Sequence, residues 1–178
     1  MIKPKTVDQL KQIIEDRIEK EGPKCDLNDI DVSEINYMGF LFCNSIFDGN
    51  ISCWNVSNVI DMSYMFKNSK FNGDISNWNV CNVVDMQSMF EESLFNGNIS
   101  KWHVNNVENM SFMVAHSIFN KSISKWNVKN VENMDCMFYW SKFNKSISKW
   151  NIKNVIAPFN IYLNCPLEDQ KDKQPKCN

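Results

Sequence analysis

Hydrophobic positions along this 178-residue chain fall into a strict register of 24. Trp54, Trp78, Trp102, Trp126 and Trp150 stand one period apart, as do Phe47, Phe71, Phe95, Phe119 and Phe143. Ile51, Ile75, Ile99, Ile123 and Ile147 keep the same spacing, and Val56, Val80, Val104, Val128 and Ile152 follow two residues after each tryptophan. The unit reads F-N-x-x-I-S-x-W-N-V-x-N-V-x-D/N-M-x-x-M-F-x-x-S. A degenerate first copy aligns on Ile30, Val32, Ile35, Met38, Leu41 and Phe42. A closing half-copy runs from Phe143 to Val155, after which Pro158 stands where a methionine is expected. A fixed period of this length marks a stack of units that share one core.

Two shorter periods lie inside each unit. Around tryptophan, Ile-Ser-x-Trp-Asn-Val alternates apolar and polar residues, the period of a short strand. Val59, Met62, Met65 and Phe66 then fall on one face of a short helix. Asn58 is placed as its N-cap and Asp61 as a first-turn acid. The expected coil is therefore strand, turn, short helix, turn, and the expected fold an α/β solenoid over residues 25–155 with strands about 4.8 Å apart in a parallel sheet. Residues 1–24 are read as an N-terminal capping helix, because Thr6 is followed by an apolar stripe of Val7, Leu10, Ile13, Ile14 and Ile18 that ends at Glu21-Gly22-Pro23. That stripe could instead serve a partner or a membrane, but its face mixes Asp16, Arg17 and Glu19 and has no basic flank. Residues 156–178 form the other end: Ile156 to Leu163 as a cap, then a polar, loose tail from Glu168.

The stretch from Phe71 to Phe90, F-N-G-D-I-S-N-W-N-V-C-N-V-V-D-M-Q-S-M-F, closely resembles the repeat of the BspA-like, leucine-rich-repeat-type proteins, also known as mycoplasma-type surface lipoprotein repeats of unknown function. The resemblance covers roughly residues 25 to 155 and implies a right-handed leucine-rich-repeat-like solenoid. It also implies adhesion or protein binding, the role proposed for surface-anchored members. The chain differs from those members in showing no apolar run after Lys3 and Lys5, no lipobox-like cysteine and no wall anchor.

Composition narrows the function classes. With 43% hydrophobic and 22% charged residues the chain can bury a core. Asparagine is plentiful (26) and glycine scarce (5). No stretch is long and apolar enough for a membrane helix. Seven cysteines, at 25, 43, 53, 81, 136, 165 and 177, ignore the repeat. Cys53 and Cys81, offset diagonally on neighbouring strands, would be roughly 14 Å apart, too far for a disulfide. Free thiols, a cytoplasmic location and no zinc site are the expectation. His103 and His116 are the only histidines, and no acid or thiol stands near them at motif spacing. Without a phosphate loop or HExxH either, no enzyme activity, catalytic residue, metal or cofactor is expected. The tryptophans, phenylalanines and methionines are assigned to the core rather than to sugar stacking. The column Asn58, Asn82, Asn106, Asn130 and Asn154 is assigned to satisfying backbone groups.

Departures from the repeat supply the candidate site. The outward positions flanking tryptophan and valine change along the stack from Cys53/Asn55/Ser57 and Asn77/Asn79/Cys81 to Lys101/His103/Asn105, Lys125/Asn127/Lys129 and Lys149/Asn151/Lys153. Residues 1–96 carry 8 basic against 15 acidic side chains, a net −7, whereas 97–160 carry 8 against 3, a net +5. One reading is drifted surface charge; the other is a basic face for an acidic protein or a nucleic-acid backbone. Tyr139-Trp140 breaks a position held elsewhere by Lys67-Asn68, Glu91-Glu92 and Ala115-His116. That pair is either a binding anchor or is packed under the C-terminal segment. Tyr64 and Phe112, at one shared position, give a weaker hint.

The sequence thus predicts a non-enzymatic macromolecule-binding protein whose partner is another protein or a ribonucleoprotein. Direct nucleic-acid backbone contact remains open, with no membrane and no small-molecule substrate. Two alternatives stand beside it: a small phage- or mobile-element-type inhibitor of a bacterial nuclease or defence complex, and an exported adhesin.

Overall fold

A computed structural model describes residues 1–156 and 159–176. Pro158 and Cys177, both used in the reading above, lie outside the described residues. Helix α1 spans Val7–Glu21: the Thr6 hydroxyl accepts the Gln9 N–H, and Gly22, at φ 88°, turns its N–H back onto the Ile18 carbonyl. Leu10 and Ile14 are buried against the first coil. Arg17 holds the helix down from its other flank, reaching the Asp29 carboxylate at 3.0 Å and the Asp26 carbonyl at 2.7 Å.

The α/β architecture expected for the repeats is not what the chain builds. Among the described residues there is one α-helix, a single 3-10 turn at Lys171–Lys173, and no sheet. Strand pairing is reduced to isolated parallel bridges, in which Tyr37, Asp61, Asp85, Asn109 and Asn133 follow one another at the repeat period. The coil is made of turns.

Where a strand was expected, the Trp54 N–H closes a turn onto the Ile51 carbonyl and the Val59 N–H closes another onto Val56. Where a helix was expected, Met65, Lys67 and Ser69 donate three residues back, to Met62, Tyr64 and Phe66. Tyr64 (φ 58°) and Asn68 (φ 51°) are left-handed, at the third position of the turns 62–65 and 66–69, as in a type II turn. The alternate donors Met62, Tyr64, Phe66 and Asn68 point along the stack to the Asp85, Gln87, Met89 and Glu91 carbonyls at 2.8–3.0 Å. No N–H is wasted, yet no helix can form, because every second one is committed to the next coil. Asn58 is accordingly not a helix cap: its Nδ2 donates to the Ser33 carbonyl, and Asp61 instead accepts the Ser63 N–H.

Side chains lock each coil to the one before. Every repeat tryptophan donates its indole N–H 27 residues back, Trp78 to the Ile51 carbonyl and Trp102 to Ile75, both at 3.1 Å. The asparagine column does what the sequence reading assigned to it, with Nδ2 of Asn82, Asn106, Asn130 and Asn154 each 2.7 Å from a carbonyl of the preceding coil. A second ladder links the Asn96, Asn120 and Asn144 N–H groups to Asn72, Asn96 and Asn120 Oδ1. Inside, Phe47, Phe71, Phe95, Phe119 and Phe143 stack at 6.0–6.3 Å with nearly parallel rings. Trp54 on Trp78 and Trp126 on Trp150 stack at 6.4 Å. Offset stacks of this kind contribute about 0.5–1.5 kcal/mol per pair beyond burial.

The far end closes onto the last coil. The carbonyls of Phe159, Ile161 and Leu163 accept the N–H groups of Cys136, Phe138 and Trp140, so this segment extends the ladder. The tail is not loose through residue 176. Leu167 and Pro175 are buried, the Ile147 N–H donates to the Lys173 carbonyl, and Lys173 Nζ reaches Asn144 Oδ1 at 3.0 Å.

Candidate functional site

Lys101, Lys125, Lys129, Lys149 and Lys153 are all exposed, as are His103, Asn127 and Asn151. The turn at each tryptophan buries the ring and the following valine, which leaves the intervening and flanking side chains outside. Because the tryptophan and asparagine side chains of this face bond each coil to the one before, and Trp126 stacks on Trp150 at 6.4 Å, the lysines form columns along the stack. None of these five ammonium groups forms an ion pair with a described residue; the ion pairs lie at residues 3–34 and at Lys67–Glu91. Asn127 and Asn151 have an internal task that the sequence reading did not give them. Their Oδ1 atoms accept the N–H groups of Lys129 and Lys153, at 3.4 and 3.3 Å, turning the chain where Asn55 and Asn79 do the same.

The aromatic pair is split by the structure. Tyr139 is half-buried and meets His116 edge-on at 5.2 Å, while Trp140 is 56% exposed. The Trp140 backbone N–H bonds to the Leu163 carbonyl, so the C-terminal segment covers its main chain and leaves the indole outside. Trp140 is left-handed at φ 52°, and its equivalents Asn44, Asn68, Glu92, His116 and Asn164 share that conformation. Asparagine tolerates this region readily; for a bulky side chain it is strained. The column two residues further on adds exposed Leu94 and Ile118. The ring contacts of the pair are with each other and with His116, so the structure does not bring the lysines onto it.

Tyr64, also left-handed, stacks on Phe40 at 4.5 Å with Lys67 5.7 Å above its ring, whereas Phe112 lies in the same column farther along. A polar groove of about 370 Å³ runs between the asparagine column and Val84, Glu108 and Glu132. The six cysteines among the described residues are unpaired, and burial pushes the thiols of Cys25, Cys43, Cys136 and Cys165 above the ordinary range, away from nucleophilic use.

The sequence reading missed Lys121 and Lys145. They occupy the column of Gly49, Gly73 and Gly97, and the signal was present in that switch of residue type. A Cβ on Gly49 would lie 2.0 Å from the Cys25 carbonyl oxygen, but the matching clearance grows to 3.0 Å at Gly73 and 3.7 Å at Gly97. The next two coils place an exposed lysine there.

Compared with known proteins, the model of the family described as "Mycoplasma protein of unknown function, DUF285" matches residues 9–118 and again 91–173. The chain belongs to this family. Two overlapping matches on one chain are what a periodic sequence produces, and together they span α1, the coils and the C-terminal end. No curated protein and no solved structure matches the chain. Membership of this family assigns no activity, so the surface itself must carry the functional reading.

Proposed function

We propose that the protein is a non-enzymatic binding protein that engages another protein through the exposed surface of its stacked coils, with Trp140 as the anchor. The observation that carries this reading is the conformation of Trp140. A large aromatic residue occupies a left-handed position that asparagine fills with less strain in three other coils, and its ring is more than half exposed. Strain at a sparsely populated conformation that gains no burial in return is a feature of functional positions. Exposed tryptophan, with exposed Ile118 and Leu94 on the preceding coils, also has the composition from which protein interfaces draw their energy. The finer likeness to BspA-like repeats supports the same role, since binding is what that likeness implies. We place the protein in the cytoplasm, where its unpaired thiols suit a reducing compartment.

The test is a tagged pull-down from a lysate of the source cells, comparing the parent with Trp140→Gly. Glycine accepts the left-handed turn without strain, so the variant keeps the fold while losing the ring. Loss of a protein captured by the parent is expected; equal capture by both would overturn the anchor.

A further inference from the structure

We propose that Lys121, Lys125, Lys129, Lys145, Lys149 and Lys153 form a docking surface for the phosphodiester backbone of a duplex nucleic acid. The proposal rests on the binding reading above but uses different side chains, so it stands or falls without Trp140. Within each of the last two coils the lysines recur every four residues, and the same three positions are filled in both. The stacking of Trp126 on Trp150, at 6.4 Å with nearly parallel rings, turns this spacing into two parallel rows of three, one coil apart. All six are exposed, and none is paired with a carboxylate among the described residues. The first coils carry Gly49/Cys53/Ser57 and Gly73/Asn77/Cys81 at these positions, so the fold itself does not require the charge.

The composition of the patch decides between a polyanion and an acidic protein. Protein interfaces are depleted of lysine and built around aromatic or arginine anchors. Here the spaces between the lysines hold Ser122, Ser124, Ser146 and Ser148, with Asn127 and Asn151, and the aromatic rings within the rows, Trp126 and Trp150, are buried. Hydroxyl and amide groups among ammonium groups are the donors that contact phosphate oxygens without reading bases. Single strands are held by stacking their bases on exposed rings, and the rows offer none. Lysine acts on phosphate as a point charge and lacks the bidentate geometry of arginine, so the contact is independent of sequence. The nearest acids in sequence, Glu108, Glu132 and Asp135, lie off the rows: Glu108 and Glu132 line the asparagine groove, and the Asp135 carboxylate accepts the Phe159 N–H.

The experiment is fluorescence anisotropy of a labelled 20-base-pair duplex, as DNA and as RNA, titrated with the full chain at several salt concentrations. A dissociation constant of roughly 10⁻⁴ to 10⁻⁶ M near physiological salt is expected, with log K falling against log salt at a slope of about −5 if all six lysines engage. Either duplex meeting these terms supports the proposal. Each single Lys→Gln substitution should make the slope shallower by about one. The variant with all six replaced should bind at least about 100-fold more weakly at low salt, with an unchanged melting temperature. Unaltered binding by that variant overturns the proposal. So does a single strand bound as tightly as the duplex, or a polyglutamate of equal charge bound as tightly. Trp140→Gly should leave duplex binding unchanged, which separates failure here from failure of the protein-binding reading.

Discussion

The two ends of the stack share one backbone and use charge in opposite ways. At the N-terminal end Lys3 bridges Asp31 and Glu34 at 3.1 Å, Lys5 meets Glu34 and Arg17 joins Asp29, so the charges there are spent on holding the helix and first coil together. In the last coils the lysines stand in columns with no carboxylate paired to them among the described residues. Charge that a fold does not use internally repels its neighbours and stays only as a small cost or as a means of attraction. The comparison separates charge that builds the molecule from charge that is available to a partner.

The strongest way to break the comparison is to uncouple the two ends. Trp102→Ala, in the middle coil, removes a buried ring and its hydrogen bond to Ile75, and should cost about 3–5 kcal/mol in urea unfolding. Because coils touch only their neighbours, its unfolding curve should broaden or split, whereas the parent unfolds as one unit. Next comes Glu91→Ala. The Glu91 carboxylate is nearly buried and sits 2.8 Å from Lys67, the one ion pair among the described residues beyond the N-terminal end, so a loss of about 1–2 kcal/mol is expected by the same measurement.

Acid should loosen the first end before the last coils. The hydrogen bond with Ser33, aided by Lys3, holds the Asp31 carboxyl down to about 2, from an ordinary 3.8. The unfolded chain therefore takes up that proton first, and the stabilisation is complete above pH 4 and lost as pH falls through about 2. Hydrogen exchange should show the Ile2 and Asp31 amides, which bond to Asp29 and Ile2, losing protection between pH 4 and pH 2 before the amides of the last coils. The smallest effect is expected at the lysines themselves. Each single Lys→Gln substitution in the two rows should change stability by no more than about 0.5 kcal/mol, since no internal contact is removed. A large change in thermal unfolding would show that those lysines belong to the fold.

The core and its period were legible because burial alone dictates them: Trp54, Phe71, Ile75 and Met62 all lie where the register puts them, inside. The asparagine column was legible for a related reason, since a polar residue repeated beside a core must satisfy backbone groups. Local geometry was not legible. Apolar residues at Val59, Met62, Met65 and Phe66 face inward whether the chain coils as a helix or as consecutive turns, and the two differ in the sign of φ at Tyr64 and Asn68. Asparagine at 44, 68 and 164 hinted at left-handed positions, but Tyr64, Phe112 and Trp140 hid the rule. At the candidate site, triplets counted around tryptophan found five lysines and passed over Lys121 and Lys145, because their column opened with glycine and read as a turn.

The backward reach of the side chains has a consequence for how the molecule comes into being. Trp54 donates to Leu27, Asn58 to Ser33, and each later pair repeats the gesture toward residues already synthesised. With α1 and the first coil in place, every emerging repeat brings its own fasteners and finds acceptors waiting. The chain can add coils in the order the ribosome delivers them, each new layer seated by its tryptophan before the next leaves the exit.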